Sequence, residues 1–390
     1  MKTERKRILI VQYAGDYREA YHRLQATGTE TYYGHRYVLE QLEALQREHG
    51  DVAMVCCLSP EAYNEVLPNG LTVIGAKAHP KKQAGRIRQI MADWNPTHLV
   101  VLGPLTALIR WGVATDRKVL CQFADSFDIH PLVRLLKYGR LASVLNGSGV
   151  DWISNHGVNA CRSLARIGVK PEKLLAWDWP YVRRPEETPP RSLASGPHSL
   201  LYVGTIQPKK GVGDAIGAIA ELKRRGMDVT LRIAGGGQVS QFEAMAAQLG
   251  VADRVDFLGL IPNTAVFDAM QAATAVVVPS RHDYPEGLPL TIYESLCART
   301  PIVASDHPMF AGHLVDRRSA MVFPAGRADA LADSVEALLS DPDLYAAISE
   351  ATLAAWGRMQ NPVKWGDVLR HWVEDAPEDR QWFAANRVRL

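Results

Sequence analysis

The sequence predicts an α/β protein of two doubly wound, Rossmann-like parallel-sheet domains facing across a cleft. Three observations carry this expectation. Short apolar runs alternate with amphipathic stretches along the chain. A proline-rich stretch from Pro180 to Pro197 interrupts the alternation, which then restarts. At 390 residues the chain is too long for one compact core and matches two or three ordinary domains. Continuous apolar strands alternating with helices belong to parallel sheets covered on both faces.

The first half offers strand candidates at Ile8–Tyr13, Val52–Leu58, Leu99–Leu102, Val119–Phe123 and Trp152–Ser154. The stretch Tyr33–Glu48 puts Leu39, Leu42 and Leu45 on one helical face. After the prolines, strands resume at Leu200–Val203, Val229–Ala234, Val255–Gly259, Ala275–Val278, Pro301–Ala304 and Met321–Phe323. Helical stretches such as Val212–Arg225 and Ala328–Leu339 separate them. The expected organisation is a first domain over 1–185, a linker over 186–198 and a second domain over 199–360. Residues 361–390 read as a helical segment, with Trp365, Val368, Leu369 and Trp372 at helical spacing. That segment is either a simple terminal helix or one that crosses back to the first domain.

Composition narrows the function classes. The chain is 47% hydrophobic and 22% charged, which fits a globular protein and neither a disordered nor a fibrous one. Lys and Arg total 44 against 42 Asp and Glu, a formal charge of +2, so a nucleic-acid coat is not indicated. Residues 1–190 carry 25 basic and 19 acidic residues, the remainder 19 and 23. A basic front half suits an anionic ligand or membrane surface, and equally ordinary scatter. Five cysteines, an odd number without a CxxC pair, speak against a disulfide framework and against zinc. Cys56, Cys57 and Cys121 sit in apolar runs and read as buried thiols of a reducing compartment. The apolar run Ile8-Leu9-Ile10-Val11 is too short for a signal peptide, and no window of 18 apolar residues appears. A cytoplasmic chain is expected.

Ligands of open α/β sheets bind at the carboxyl ends of the strands, so the loops there matter most. Val203-Gly204-Thr205-Ile206-Gln207-Pro208-Lys209-Lys210-Gly211 places two lysines just before a helix. A lysine there either neutralises a phosphate beside the helix N-terminus or is a solvated surface residue. Gly235-Gly236-Gly237 follows another strand and lets backbone approach a ligand, although it lacks GxGxxG spacing. Phe257-Leu258-Gly259-Leu260-Ile261 is a third such turn. The richest loop runs from Pro279 to Glu294. Pro289 reads as a first helical position, which makes Gly287, Leu288 and Leu290 a helix N-terminus suited to an anion. Glu286 and Glu294 flank it, eight positions apart. Carboxylates accept hydrogen bonds from vicinal hydroxyls; here they could equally be solvent-facing and helix-capping groups.

The pair Glu286 and Glu294, with Pro279-Ser280 before it and Gly287 within it, resembles the glutamate pair of retaining glycosyltransferases. Val203-Gly204 with Lys210-Gly211 resembles their diphosphate loop, and all four loops keep the family order. The chain resembles glycosyltransferase family 4, of the GT-B fold, most specifically over Leu200 to Leu339. The first half resembles it more loosely, through Gly28-Thr29-Glu30 and through Asp151-Trp152-Ile153-Ser154 with Gly168 to Lys173.

The resemblance implies a nucleotide-diphospho-sugar donor, UDP- or GDP-linked, with no cofactor and no metal ion. The second domain would hold the nucleotide, with Lys209, Lys210, Gly204, Thr205 and Gly236 near the donor. It implies Lys210 at the diphosphate, Glu286 at the transferred sugar, Glu294 at the ribose and backbone of Gly287–Leu290 at the diphosphate. Positive charge and N–H donors are needed where the departing diphosphate gains charge. The departing phosphate would serve as base for the acceptor hydroxyl.

Two departures stand out. Thr205 occupies a slot where the family usually has Arg, and Ala124-Asp125 one where it often has His-Asp. The sugar-side histidine would then be missing, or replaced by His130, His35 or His156. Acceptor recognition is expected in the first domain, at Gly28, Tyr33 and Asp125. Asp125 could equally be a helix N-cap. Tyr13, Asp16, Tyr17, Arg18, Tyr21 and Tyr32 cluster around the first strand's loop, for a sugar or lipid-linked acceptor or for packing. The basic, apolar stretch Arg134–Leu141 either touches anionic lipid at the inner face of a membrane or packs on its own sheet.

The function expected is sugar transfer in cell-surface polysaccharide or glycoconjugate biosynthesis. The alternatives are an epimerase or hydrolase of the same fold and a non-catalytic nucleotide-sugar-binding scaffold. A dinucleotide oxidoreductase is disfavoured because no GxGxxG follows the first strand of either half.

Overall fold

The computed structural model describes residues 5–30, 32–127 and 131–389, and the side chains of these apart from 131–136. The chain forms two compact units, Met1–Pro180 with Asn361–Leu390, and Tyr181–Gln360.

The first unit is built on eight strands: β1 (Lys6–Gln12), β2 (Gly50–Cys56), β3 (Tyr63–Val66), β4 (Thr72–Gly75), β5 (His98–Leu102), β6 (Lys118–Phe123), β7 (Trp152–His156) and β8 (Leu174–Trp177). Their order in the sheet is β3-β4-β2-β1-β5-β6-β7-β8. All pairs are parallel except β3 with β4. Strand β3 departs from the all-parallel expectation because it is a short edge strand of alternating exposure. It offers no apolar run to read. Central β1 has Ile8, Leu9, Ile10 and Val11 fully buried, as a strand covered on both faces requires. Helix His35–His49 buries Val38, Leu39, Leu42 and Leu45.

Residues 361–390 pack with this unit. Trp365, Val368, Leu369 and Trp372, in helix Trp365–Glu374, are all buried. Backbone bonds join Asp178 N to Val363 O and Trp365 N to Asp178 O, at 3.0 and 3.1 Å. Trp372 Nε1 donates to Asp151 at 2.9 Å.

The second unit carries β9 (His198–Val203), β10 (Val229–Ala234), β11 (Val255–Gly259), β12 (Ala275–Val278), β13 (Ile302–Ser305) and β14 (Met321–Phe323). Their order is β11-β10-β9-β12-β13-β14, with every pair parallel. The strand order therefore reverses between β9 and β12, and between β1 and β5 in the first unit. Residues 186–198, expected as a linker, pack within this unit. Arg191 N donates to Ser349 Oγ at 2.8 Å, and its guanidinium to Ala273 O and Thr300 Oγ1.

All five cysteines are buried and free. Burial pushes the Cys56 thiol up to about 11 and Cys57 up to about 12, so neither is a thiolate at neutral pH. No helix among the described residues is long and apolar enough to cross a membrane.

Candidate active site

The loops after β9 and β12 lie at the strand reversal of the second unit, where ligands of doubly wound sheets bind. Their approach is tight. Gly211 has φ +74°, and a Cβ there would lie 2.0 Å from Pro279 O, so this position requires glycine. Arg281 N donates to Lys209 O at 2.9 Å, a second tie between the loops. Arg281 also grips the buried Asp214 through two bonds of 2.9 and 2.6 Å.

This frame holds Lys210 against Glu286. Lys210 Nζ lies 2.6 Å from Glu286 Oε1, and Ser280 Oγ donates to the same oxygen at 2.5 Å. Glu286 is 5% exposed. A buried carboxylate needs such partners, because desolvation without them costs several kcal/mol. Lys210 also stands over the Tyr284 ring, 4.5 Å from its centroid. Nearby His307 bonds Tyr284 O at 3.1 Å, and burial lowers its pKa, which favours the neutral ring. Lys209 instead pairs with Asp283 at 2.8 Å, both exposed.

Helix Leu290–Cys297 starts just past this loop. Pro289 is its N-cap rather than its first residue, and no side chain caps the helix start. Thr291 Oγ1 donates to Val203 O at 3.2 Å and fixes the helix to the end of β9. Glu294 Oε1 accepts from Asn263 Nδ2 at 2.9 Å. Leu288 is buried.

The three glycine turns interlock through backbone. Gly204 N donates to Ala234 O, Ile206 N to Gly236 O and Gly235 N to Gly259 O, at 3.0, 2.8 and 2.8 Å. A Cβ on Gly235 would meet Gly204 O at 1.9 Å. Thr205 keeps its carbonyl on Tyr202 Oη at 2.7 Å.

The acceptor-side residues of the first unit separate. Asp125 lines a cavity at the ends of β1, β5, β6 and β8, together with Tyr17, Tyr32 and His35. Gly28 instead closes helix Tyr17–Thr27 in a left-handed conformation. Tyr33 Oη donates to Pro180 O. Neither lines the cavity. Asp16 caps helix Tyr17–Thr27, and Arg18 pairs with Glu61. His156 stacks on Trp177 at 4.7 Å and bonds Asp178, away from a free role. His130 lies outside the described residues. The stretch 134–141 lies in helix Pro131–Asn146, whose described inner side chains Leu141, Ala142 and Leu145 belong to the unit's core.

Several residues of these sites have no motif to announce them. Asn263, Asp214, Gln122 and the tryptophans 177, 179 and 365 meet their partners only through the fold. The pair Trp177 and Trp179, the first ending β8 and the second just past it, is the one signal the sequence offers.

Comparison with known proteins bears on the fold and on the second unit's sequence. The two parallel-sheet units have the GT-B fold of glycosyltransferases. Over 98% of this chain and 100% of the other, the structure superposes on sucrose-phosphate synthase from Thermosynechococcus elongatus, with a TM-score of 0.68 and 17% identity. HepE of Anabaena, solved in complex with UDP-glucose, matches with a TM-score of 0.65 and 13% identity, over 97% of this chain and 98% of that one. More particularly, residues 184–354 match the family model described as glycosyl transferases group 1. The chain is 36% identical over 152 residues to an alpha-D-kanosaminyltransferase of Streptomyces kanamyceticus, and that stretch spans 39% of each protein.

Proposed function

We propose that this protein is a retaining glycosyltransferase of family 4. It transfers a sugar from a UDP- or GDP-linked donor to a hydroxyl of a saccharide or lipid-linked acceptor. The product belongs to cell-surface polysaccharide or glycoconjugate biosynthesis. The protein works in the cytoplasm, with peripheral contact at the inner membrane face when the acceptor is lipid-linked.

The observation that supports this best is the Lys210–Glu286–Ser280 cluster at the strand reversal, inside the segment matched to glycosyl transferases group 1. The acceptor oxygen bonds to the anomeric carbon on the face that the diphosphate leaves. The C–O bond to the diphosphate breaks with its electron pair on that oxygen, which takes the acceptor's proton. Lys210 and the uncapped amides before Thr291 meet the growing negative charge. Glu286 accepts from sugar hydroxyls and Glu294, steadied by Asn263, from the ribose.

The experiment is an assay of sugar transfer with UDP- and GDP-sugars, followed by NMR of the anomeric proton. Transfer with the donor's configuration retained supports the reading. Free sugar or an epimer, formed equally well without acceptor, would replace it by the hydrolase or epimerase alternative. Binding without turnover would leave the scaffold.

A further inference from the structure

The cavity of the first unit has a volume of about 440 Å³, within the roughly 300–1,000 Å³ of small-molecule sites. Aromatic rings dominate its wall. Trp177 meets Trp179 edge to face at 5.0 Å, and Trp179 lies nearly parallel to Trp365 at 6.2 Å. Trp177 Nε1 donates to Phe123 O at 3.0 Å, so its polar atom is already used. Tyr17 and Tyr32 complete the ring lining.

The polar part of the wall is short of donors and of positive charge. Gln122 is 2% exposed. Its Nε2 donates to Trp365 O at 2.9 Å, while its Oε1 has no partner among the described residues. Among those residues no group donates to the Asp125 carboxylate either. Burial pushes that carboxyl up to about 6, against the charge of Lys81, which acts in the other direction. Among the described residues no Lys or Arg lines the cavity. Burial holds His35 down to about 4, so its ring is neutral at pH 7.

A carboxylate that no described residue donates to, set among aromatic rings, is complementary to an ammonium group. It brings three donors and the missing charge, and aromatic faces attract it. We propose that this cavity binds the protonated amine of an amino sugar, with Asp125 as counter-ion and the tryptophan rings as the enclosing wall. Calling that amino sugar the acceptor rests on the transferase reading; its binding does not.

The test is tryptophan fluorescence of the full chain at pH 7, without nucleotide, titrated with D-glucosamine, D-glucose and N-acetyl-D-glucosamine. Glucosamine is expected to bind at least tenfold more tightly than the other two. In Asp125→Asn that preference disappears, and in Asp125→Glu it persists. Equal affinity for the three sugars, a preference that survives Asp125→Asn, or no response to any of them would overturn the proposal. The wild-type comparison decides alone if the variants do not fold. Nucleotide binding without an amine preference would leave the transferase reading standing and this one refuted.

Discussion

At the scale of residues, Lys210 and Glu286 act on each other before any substrate arrives. Removing either partner strands a charge that is largely cut off from water. Lys210→Met is expected to lower kcat by about a hundredfold or more, the scale of losing one group at a developing charge. It should also destabilise the fold, since breaking a buried pair costs about 3–5 kcal/mol. A double-mutant cycle with Glu286→Gln checks this. Additive stability losses would show that the two residues do not act as a pair. Asp125 allows a prediction in pH. Its folded pKa, about 6, lies above the ordinary carboxylate range because of burial. Its stabilising contribution is therefore present in acid and is lost as pH rises through about 6. Asp125→Asn should melt at a higher temperature than wild type at pH 7.5, with the gap closing by pH 4. A gap that does not change with pH would remove Asp125 as its cause.

At the scale of elements, the site depends on loops that touch through backbone. Gly211→Ala must move Pro279 O and adopt a left-handed conformation. A loss of about 1–3 kcal/mol is expected from the strain alone, together with weaker nucleotide binding, read by calorimetry. Unaltered binding in a folded variant would show that this junction does not shape the donor site. The segment after Gln360 belongs to the first unit's core, so Leu369→Ala should cost about 2–5 kcal/mol, as a buried leucine does. Chemical denaturation monitored through the tryptophans measures it.

The elements were more legible than their partners. Apolar runs marked β1, β2, β5, β6 and β7 and all six strands of the second unit. Strand β8 is only four residues long, Leu174–Trp177, and β3 and β4 form a short edge hairpin; none has the pattern of a long apolar strand. Lys210, Glu286 and Glu294 could be read because their loops keep a recognisable order. Asn263 beside Glu294 and Asp214 beside Arg281 could not, because each pair joins segments far apart in sequence that only the folded sheet brings together. Gly28 and Tyr33 sit near acceptor-like sequence, yet the fold uses one to end a helix and the other to hold Pro180 O.

At the scale of the whole molecule, each parallel sheet has its own strand reversal and its own set of functional loops. In the proposed reading the second unit offers charge for a diphosphate and carboxylates for hydroxyls. The first offers an aromatic cavity with an acid that no described residue donates to. A transferase needs two such sites, one for each substrate, whereas a hydrolase needs only the donor site. The most direct measurement is calorimetric titration of UDP and GDP into wild-type protein and Glu294→Ala. The account predicts that one nucleotide binds to the wild type and does so about tenfold or more weakly to the variant, the cost of a lost hydrogen bond to a charged group. Binding of neither nucleotide, or equal binding to both proteins, would contradict it.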